Sequence, residues 1–144
     1  MNNIVLKKNF LLFIIFSIIF AIFFLYIKHN VGNDSSVSEW LINYNGGFTR
    51  RGLGGEIAIM IANLFGFSLR ESIFFLQSLF HVSFLVLVFL YFKNLKINII
   101  QLLAIYAPIF LLYPIAEIEA LGRKEIFLFL SFIVALFLCE KKKF

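Results

Sequence analysis

Phe10 to Ile27 is an uninterrupted run of 18 residues in which Ser17 is the only polar side chain. No other feature restricts the fold as much. As a helix the run rises about 27 Å, close to the roughly 30 Å of hydrocarbon in a bilayer. In lipid a segment must satisfy its own backbone N–H and C=O groups, which a helix does and an extended chain does not. Lys7 and Lys8 precede the run and no small-x-small cleavage site follows it. It also exceeds the roughly 7–15 residues of a signal-peptide core, so it predicts an uncleaved anchor. Composition carries the same message over the whole chain. With 62% hydrophobic residues, 21 Phe among 144, 15% charged residues and a mean hydropathy of +0.97, it lies far from soluble norms of about 45–50% apolar and roughly 25% charged. The net charge of +5 does not point to nucleic acid, because no basic face exists apart from the apolar runs; it reads as flanks of membrane helices.

Three further segments have span-like character. Ile73 to Phe92 carries Gln77, Ser78, His81 and Ser83 in its first half. Gln77 and His81 are four apart, so they share a helical face that is expected to point into a bundle. His81 reads either as a histidine hydrogen-bonded to a neighbouring helix or as a proton-relay or ligand group. Ile97 to Tyr113 is bounded by Pro108 and Pro114, which end or kink a helix. Ile126 to Cys139 has only 14 residues, about 21 Å, and spans only by recruiting Ala120 to Gly122 or by letting flanking charges snorkel. Cys139, the single cysteine, excludes a disulfide framework and is expected to serve as apolar packing. Leu53 to Leu69 is apolar too, but Glu56 and Asn63 sit seven apart on one face and Gly55 and Gly66 bracket a short helix. The expected fold is therefore all-α: an integral membrane helical bundle of one domain, 1–144. It has about four transmembrane helices (about 10–27, 73–92, 97–113 and 121–139) and an outer loop, 28–72, holding one interfacial or re-entrant helix.

Basic residues orient this arrangement. Without a span at 53–69, one side holds Lys7, Lys8, Lys93, Lys96, Lys141, Lys142 and Lys143, seven against six, and positive-inside bias makes that side cytoplasmic. With such a span the inside would keep five against eight. Both termini are then cytoplasmic, in a bacterial inner membrane. A second asymmetry follows. Asp34, Glu39, Glu56, Glu71, Glu117, Glu119 and Glu125, seven of the eight acidic residues, fall on the non-cytoplasmic side with Arg50, Arg51, Arg70, Arg123 and Lys124. Lysines fringe one side, while arginines and carboxylates mix on the other.

Two stretches carry the charge on that side. In "WLINYNGGFTRRGLGGEI", Trp40 to Ile57, Arg50 and Arg51 lie within five of the eight glycines. Arginine offers a rigid fork of donors for phosphate or carboxylate. Glycine lets the backbone approach an anion closely, and the helix starting near Gly55 adds the positive end of its dipole. The combination fits a phosphate seat at the membrane surface; the plainer alternative is snorkelling to lipid headgroups. A P-loop is excluded by the missing lysine-serine/threonine ending. In "AEIEALGRKEI", Ala116 to Ile126, the residues Glu117, Glu119, Arg123, Lys124 and Glu125 either pair among themselves or extend the same site. Such carboxylates could hold a divalent cation, Mg²⁺ or Mn²⁺, whereas no His/Cys spacing supports zinc. Trp40, Tyr44 and Phe48 recur every four residues, a stripe that anchors at the interface or, less commonly, stacks on a sugar ring.

"EWLINYNGGFTRRGLGGEI" after a first span, followed by "LGRKEI", resembles a pattern of multi-pass bacterial membrane proteins, some of which accompany surface-polysaccharide genes. More loosely, the layout is similar to membrane glycosyltransferases that use lipid-phosphate sugar donors. That resemblance implies a polyprenyl-phosphate-linked sugar as partner, Asp34 or Glu39 as the catalytic base, and Arg50, Arg51 and Arg123 as phosphate holders; Glu56, Lys124 and Glu125, from the same two charged stretches, are further candidates for binding the substrate. It also implies more spans than 144 residues hold, so the chain is expected to be the N-terminal part of a longer protein or a shortened relative. A different class remains open: a non-enzymatic membrane subunit or transporter fragment whose charged loops contact partner membrane proteins.

Overall fold

The computed structural model describes residues 3–31, 35–49, 52–93, 99–107, 117 and 120–141. Among them the chain is all-helical, with six helices and no strand: α1 (Asn3–Asn30), α2 (Ser35–Leu41), α3 (Leu53–Phe65), α4 (Leu69–Phe92), α5 (Ile99–Tyr106) and α6 (Ile126–Lys141). Two are long and apolar enough to cross a membrane, Leu6–Asn30 of α1 and Leu69–Phe92. The apolar helices Leu53–Phe65 and Ile126–Cys139 are shorter. Of the expected span 97–113, only 99–107 falls within the described residues.

α1 absorbs its one polar interruption locally: Ser17 Oγ donates to the Phe13 carbonyl one turn back, at 2.9 Å, which satisfies the hydroxyl without a partner helix. α4 starts at a capping box. The Glu71 amide donates to Ser68 Oγ at 3.2 Å and the Ser68 amide donates to Glu71 Oε2 at 2.7 Å, which satisfies two of the donors a helix start leaves open. Just before it, Gly66 ends α3 at φ +68°, a left-handed conformation that glycine adopts without penalty. α3 and α4 are thus joined by a tight turn and pack together.

Ring contacts set the helix directions. Phe10 lies 5.8 Å from Phe89 and 6.4 Å from Phe92, while Tyr26 lies 6.2 Å from Phe74, so α1 and α4 are antiparallel. Phe80 meets Phe127 at 4.6 Å, Phe84 meets Phe129 at 6.0 Å and Tyr91 meets Phe137 at 5.4 Å, so α6 runs parallel to α4. The core runs between these three helices, with Phe10, Ile14, Leu25, Ile73, Phe84, Leu85, Val88 and Ile133 buried. Lys7, Lys8 and Lys93 consequently stand at one end of the bundle, where α6 also finishes. Lys28, Arg70, Glu71, Arg123, Lys124 and Glu125 stand at the other. Among the described residues, members of the lysine group and of the mixed-charge group therefore stand at opposite ends of one bundle.

Three local expectations meet a different geometry. Residues 120–125 form turns, and α6 begins at Ile126 rather than recruiting Ala120 to Gly122. Gly122 sits at φ +88°, outside helical space, and interrupts any extension. Trp40, Tyr44 and Phe48 do not share a helical face, because α2 stops at Leu41. Beyond it, the Asn45 amide bonds to Asn43 Oδ1 at 3.0 Å and the Gly47 amide to the Tyr44 carbonyl at 2.9 Å, local turns that compete with helix continuation. Cys139 is exposed instead of packed in the core.

Candidate functional site

The two charged stretches of the sequence meet at the mixed-charge end, and the carbonyl of Gly122 is where they join. It accepts from Trp40 Nε1 at 2.7 Å and from Gln77 Nε2 at 2.8 Å, filling both of its lone pairs inside the bundle. One residue earlier, Lys28 Nζ at the end of α1 donates to the Leu121 carbonyl at 2.7 Å. The Leu121–Glu125 turn is thus tied to α1, α2 and α4 at once. Trp40 is fully buried and its ring lies 6.0 Å from Phe80 and 5.5 Å from Phe127. It is an internal pillar, not a surface anchor.

Small residues bring the glycine-rich stretch onto this pillar. Gly54, Gly55 and Ala58 form the buried face of α3. A Cβ at Gly54 would stand 3.3 Å from the Trp40 ring, 3.2 Å from Lys124 Cε and 3.5 Å from Lys124 Nζ, so the first turn of α3 lies directly against the Lys124 side chain. Glu56 also belongs to that turn; its Oε2 is buried and forms no hydrogen bond among the described residues. Gly55 is closer still, against the backbone carbonyls of Ile42 and Trp40.

The expected site residues are distributed unequally. Gly122 and Lys124 stand beside Trp40, with Arg123 and Glu125 in the same turn as these two and Glu56 in the first turn of α3. Glu39 is half-buried and immediately precedes Trp40 on α2. Asp34, Arg50, Arg51 and Glu119 lie outside the described residues. The residues flanking the arginine pair are joined, however, by a hydrogen bond from the Gly52 amide to the Thr49 carbonyl at 3.2 Å. Among the described residues, no three His, Cys, Asp or Glu side chains cluster as metal ligands.

Gln77 and His81 do point inward, both 1% exposed. His81 Nδ1 lies 2.7 Å from the Gln77 carbonyl, one turn back in its own helix. Two participants escaped the sequence-based site. Lys28 reads as an ordinary basic flank of a span, and Gln77, although placed inside, gives no sign of its partner 45 residues away. No family model, no curated protein and no solved structure matches the chain.

Proposed function

We propose that this chain is a multi-pass protein of the bacterial inner membrane with four spans and both termini in the cytoplasm. Its mixed-charge, non-cytoplasmic end binds a lipid-linked phosphosugar for glycosyl transfer or surface-polysaccharide assembly. One observation carries the reading: the Lys124 side chain lies against the first turn of α3, at Gly54, where the helix dipole is positive. Two sources of positive potential held together by buried glycines suit an anion, and Arg50, Arg51 and Arg123 belong to the same two stretches. In this reading Asp34 or Glu39 activates the acceptor, the arginines hold the phosphate, and Glu56 and Glu125 order the basic groups.

The parallel run of α6 with α4 requires an intervening crossing, which the segment 97–113 supplies. Reporter fusions after Lys96 and after Gly122 should therefore report opposite sides of the membrane; the same side for both would sink the four-span arrangement.

Ligand chemistry is tested on the full chain in lipid nanodiscs with polyprenyl phosphate as the probe. R50K/R51K keeps the charge and removes the bidentate fork. If the fork holds phosphate, affinity falls about tenfold or more, the equivalent of about 1.4 kcal/mol. Undiminished binding would reduce both arginines to headgroup anchors and favour a subunit that contacts partner helices.

A further inference from the structure

We infer that Arg70 and His29 form a second phosphate site, apart from the Lys124 seat, which takes the phosphodiester of a bilayer phospholipid at the corner where α1 ends and α4 begins. The inference rests on the membrane placement proposed above and not on the phosphosugar. Arg70, His29, Phe74 and Tyr26 build the corner. The Arg70 guanidinium donates to the Val31 carbonyl, just past the end of α1. One turn further along α4, Phe74 meets the His29 ring at 5.3 Å and the Tyr26 ring at 6.2 Å. His29 stands two residues before Val31 and one turn after Tyr26, so guanidinium, imidazole and phenol follow one another from the end of the bundle inward.

The donors of this corner are matched to an anion. Arg70 uses Nη2 on the Val31 carbonyl, its Nε is buried without a hydrogen-bond partner, and among the described residues it forms no ion pair. Its neighbour Glu71 does not neutralise it, because Glu71 Oε2 accepts from the Ser68 amide at 2.7 Å and the charge that Glu71 senses is that of His29. An arginine that gives one donor to a carbonyl and pairs with no carboxylate keeps the rest of its fork for a phosphate. His29 Nδ1 is buried and has no hydrogen-bond partner. A proton there would be a buried donor without an acceptor, so the neutral ring carries its proton on Nε2. Nε2 is the nitrogen left to donate to a phosphate oxygen.

Depth selects the kind of phosphate. About 30 Å of hydrocarbon counted back from Phe92 at 1.5 Å per residue ends near Ile73. Arg70 lies beyond that boundary by about 4–5 Å, in the headgroup layer that holds lipid phosphates. Tyr26, 55% exposed, faces Phe74 at the boundary itself, the level at which membrane proteins concentrate tyrosine. One turn below it on α1, Phe23 is 56% exposed and offers an apolar flank to acyl chains. Positive-inside bias works against an arginine on this face, and a phosphate partner offsets it. Free phosphate shares the charge, but only a phospholipid also uses the apolar flank.

Thermal unfolding of the full chain in dodecyl maltoside reads binding as the rise in midpoint when a ligand is added. The probes are phosphatidylglycerol, the phosphate-free lipid diglucosyl diacylglycerol, and inorganic phosphate. Phosphatidylglycerol should protect the parent more than the phosphate-free lipid does, and R70Q and H29L should each keep about half or less of that difference. Every variant is compared with its own lipid-free midpoint, and H29L leaves the Arg70 bond to Val31 in place, so a general loss of stability does not imitate the result. An undiminished difference in both variants would overturn the site. A difference kept in R70Q and lost in R50K/R51K would assign the phosphate to the other charged stretch and overturn a separate site. Equal protection by inorganic phosphate would overturn the lipid as ligand. No protection by either lipid would overturn the membrane placement itself.

Discussion

Replacing Gly55 with alanine should destabilise the protein by about 3 kcal/mol, the upper part of the range for forcing extra volume into a packed interior. The new Cβ would collide with the carbonyl oxygen of Ile42 and stand 2.9 Å from that of Trp40. Both obstacles are backbone, and both belong to the segment that seats Trp40, so neither can swing aside as a side chain would. Relief requires α3 to move off α2, which separates Gly54 from the Trp40 ring and from Lys124. The same stretch contains its own control. A Cβ at Gly46 meets nothing within 4 Å, and the backbone there is not left-handed, so G46A should leave stability within about 0.5 kcal/mol of the parent. Thermal unfolding of the detergent-solubilised protein, followed by loss of the monodisperse chromatographic peak, separates the two. Equal midpoints for G55A and G46A would show that α3 does not pack where the structure has it. Because α3 also carries the first-turn geometry beside Lys124, G55A should weaken anion binding without removing any charged group.

How far the sequence discloses this arrangement depends on the range of the interaction. α1 is legible because 18 consecutive apolar residues leave few alternatives. α3 is legible in outline: Gly66 ends it as the sequence suggests, while its start lies at Leu53, two residues before the expected Gly55. The inward placement of Gln77 and His81 follows from their spacing of four, since polar side chains on an apolar helix avoid lipid. Trp40 is different. Its recurrence with Tyr44 and Phe48 suggests a stripe only if the helix continues, and whether it continues is decided by competing Asn and Gly turns at 43–47. Once α2 ends at Leu41, Trp40 is free to turn inward. Its hydrogen bond to Gly122 spans 82 residues, and no local pattern encodes a backbone acceptor at that distance. Lys28 is hidden for a related reason: a cation at the last turn of a helix is favourable with the dipole alone, so nothing in the sequence announces its bond to Leu121. The two motifs are legible as separate charge clusters; their convergence is a property of α6 running parallel to α4.

Removing both donors to the Gly122 carbonyl should cost more than the sum of removing each. W40F keeps an aromatic ring between Phe80 and Phe127 and loses Nε1; Q77L keeps volume and loses Nε2. In either single variant the carbonyl retains one donor, and the loss should stay near the net value of one hydrogen bond plus modest repacking, about 1–2 kcal/mol. In W40F/Q77L the carbonyl is left inside the bundle with neither donor, and a buried acceptor without a partner costs about 1–3 kcal/mol in desolvation that neither single variant incurs. The coupling should therefore be about 1 kcal/mol or more beyond additivity. The sign matters more than the size, because two side chains that merely pack near one another would give additive losses. Equilibrium unfolding of the four members of the cycle in one mixed-micelle condition measures it. Strict additivity would mean that Trp40 and Gln77 do not share the Gly122 carbonyl. The Leu121–Glu125 turn would then have at most one of the two side chains on its Gly122 carbonyl beside the Lys28 bond to Leu121. A positive coupling identifies this single backbone oxygen as the point through which α2, α4 and the start of α6 hold the charged end together.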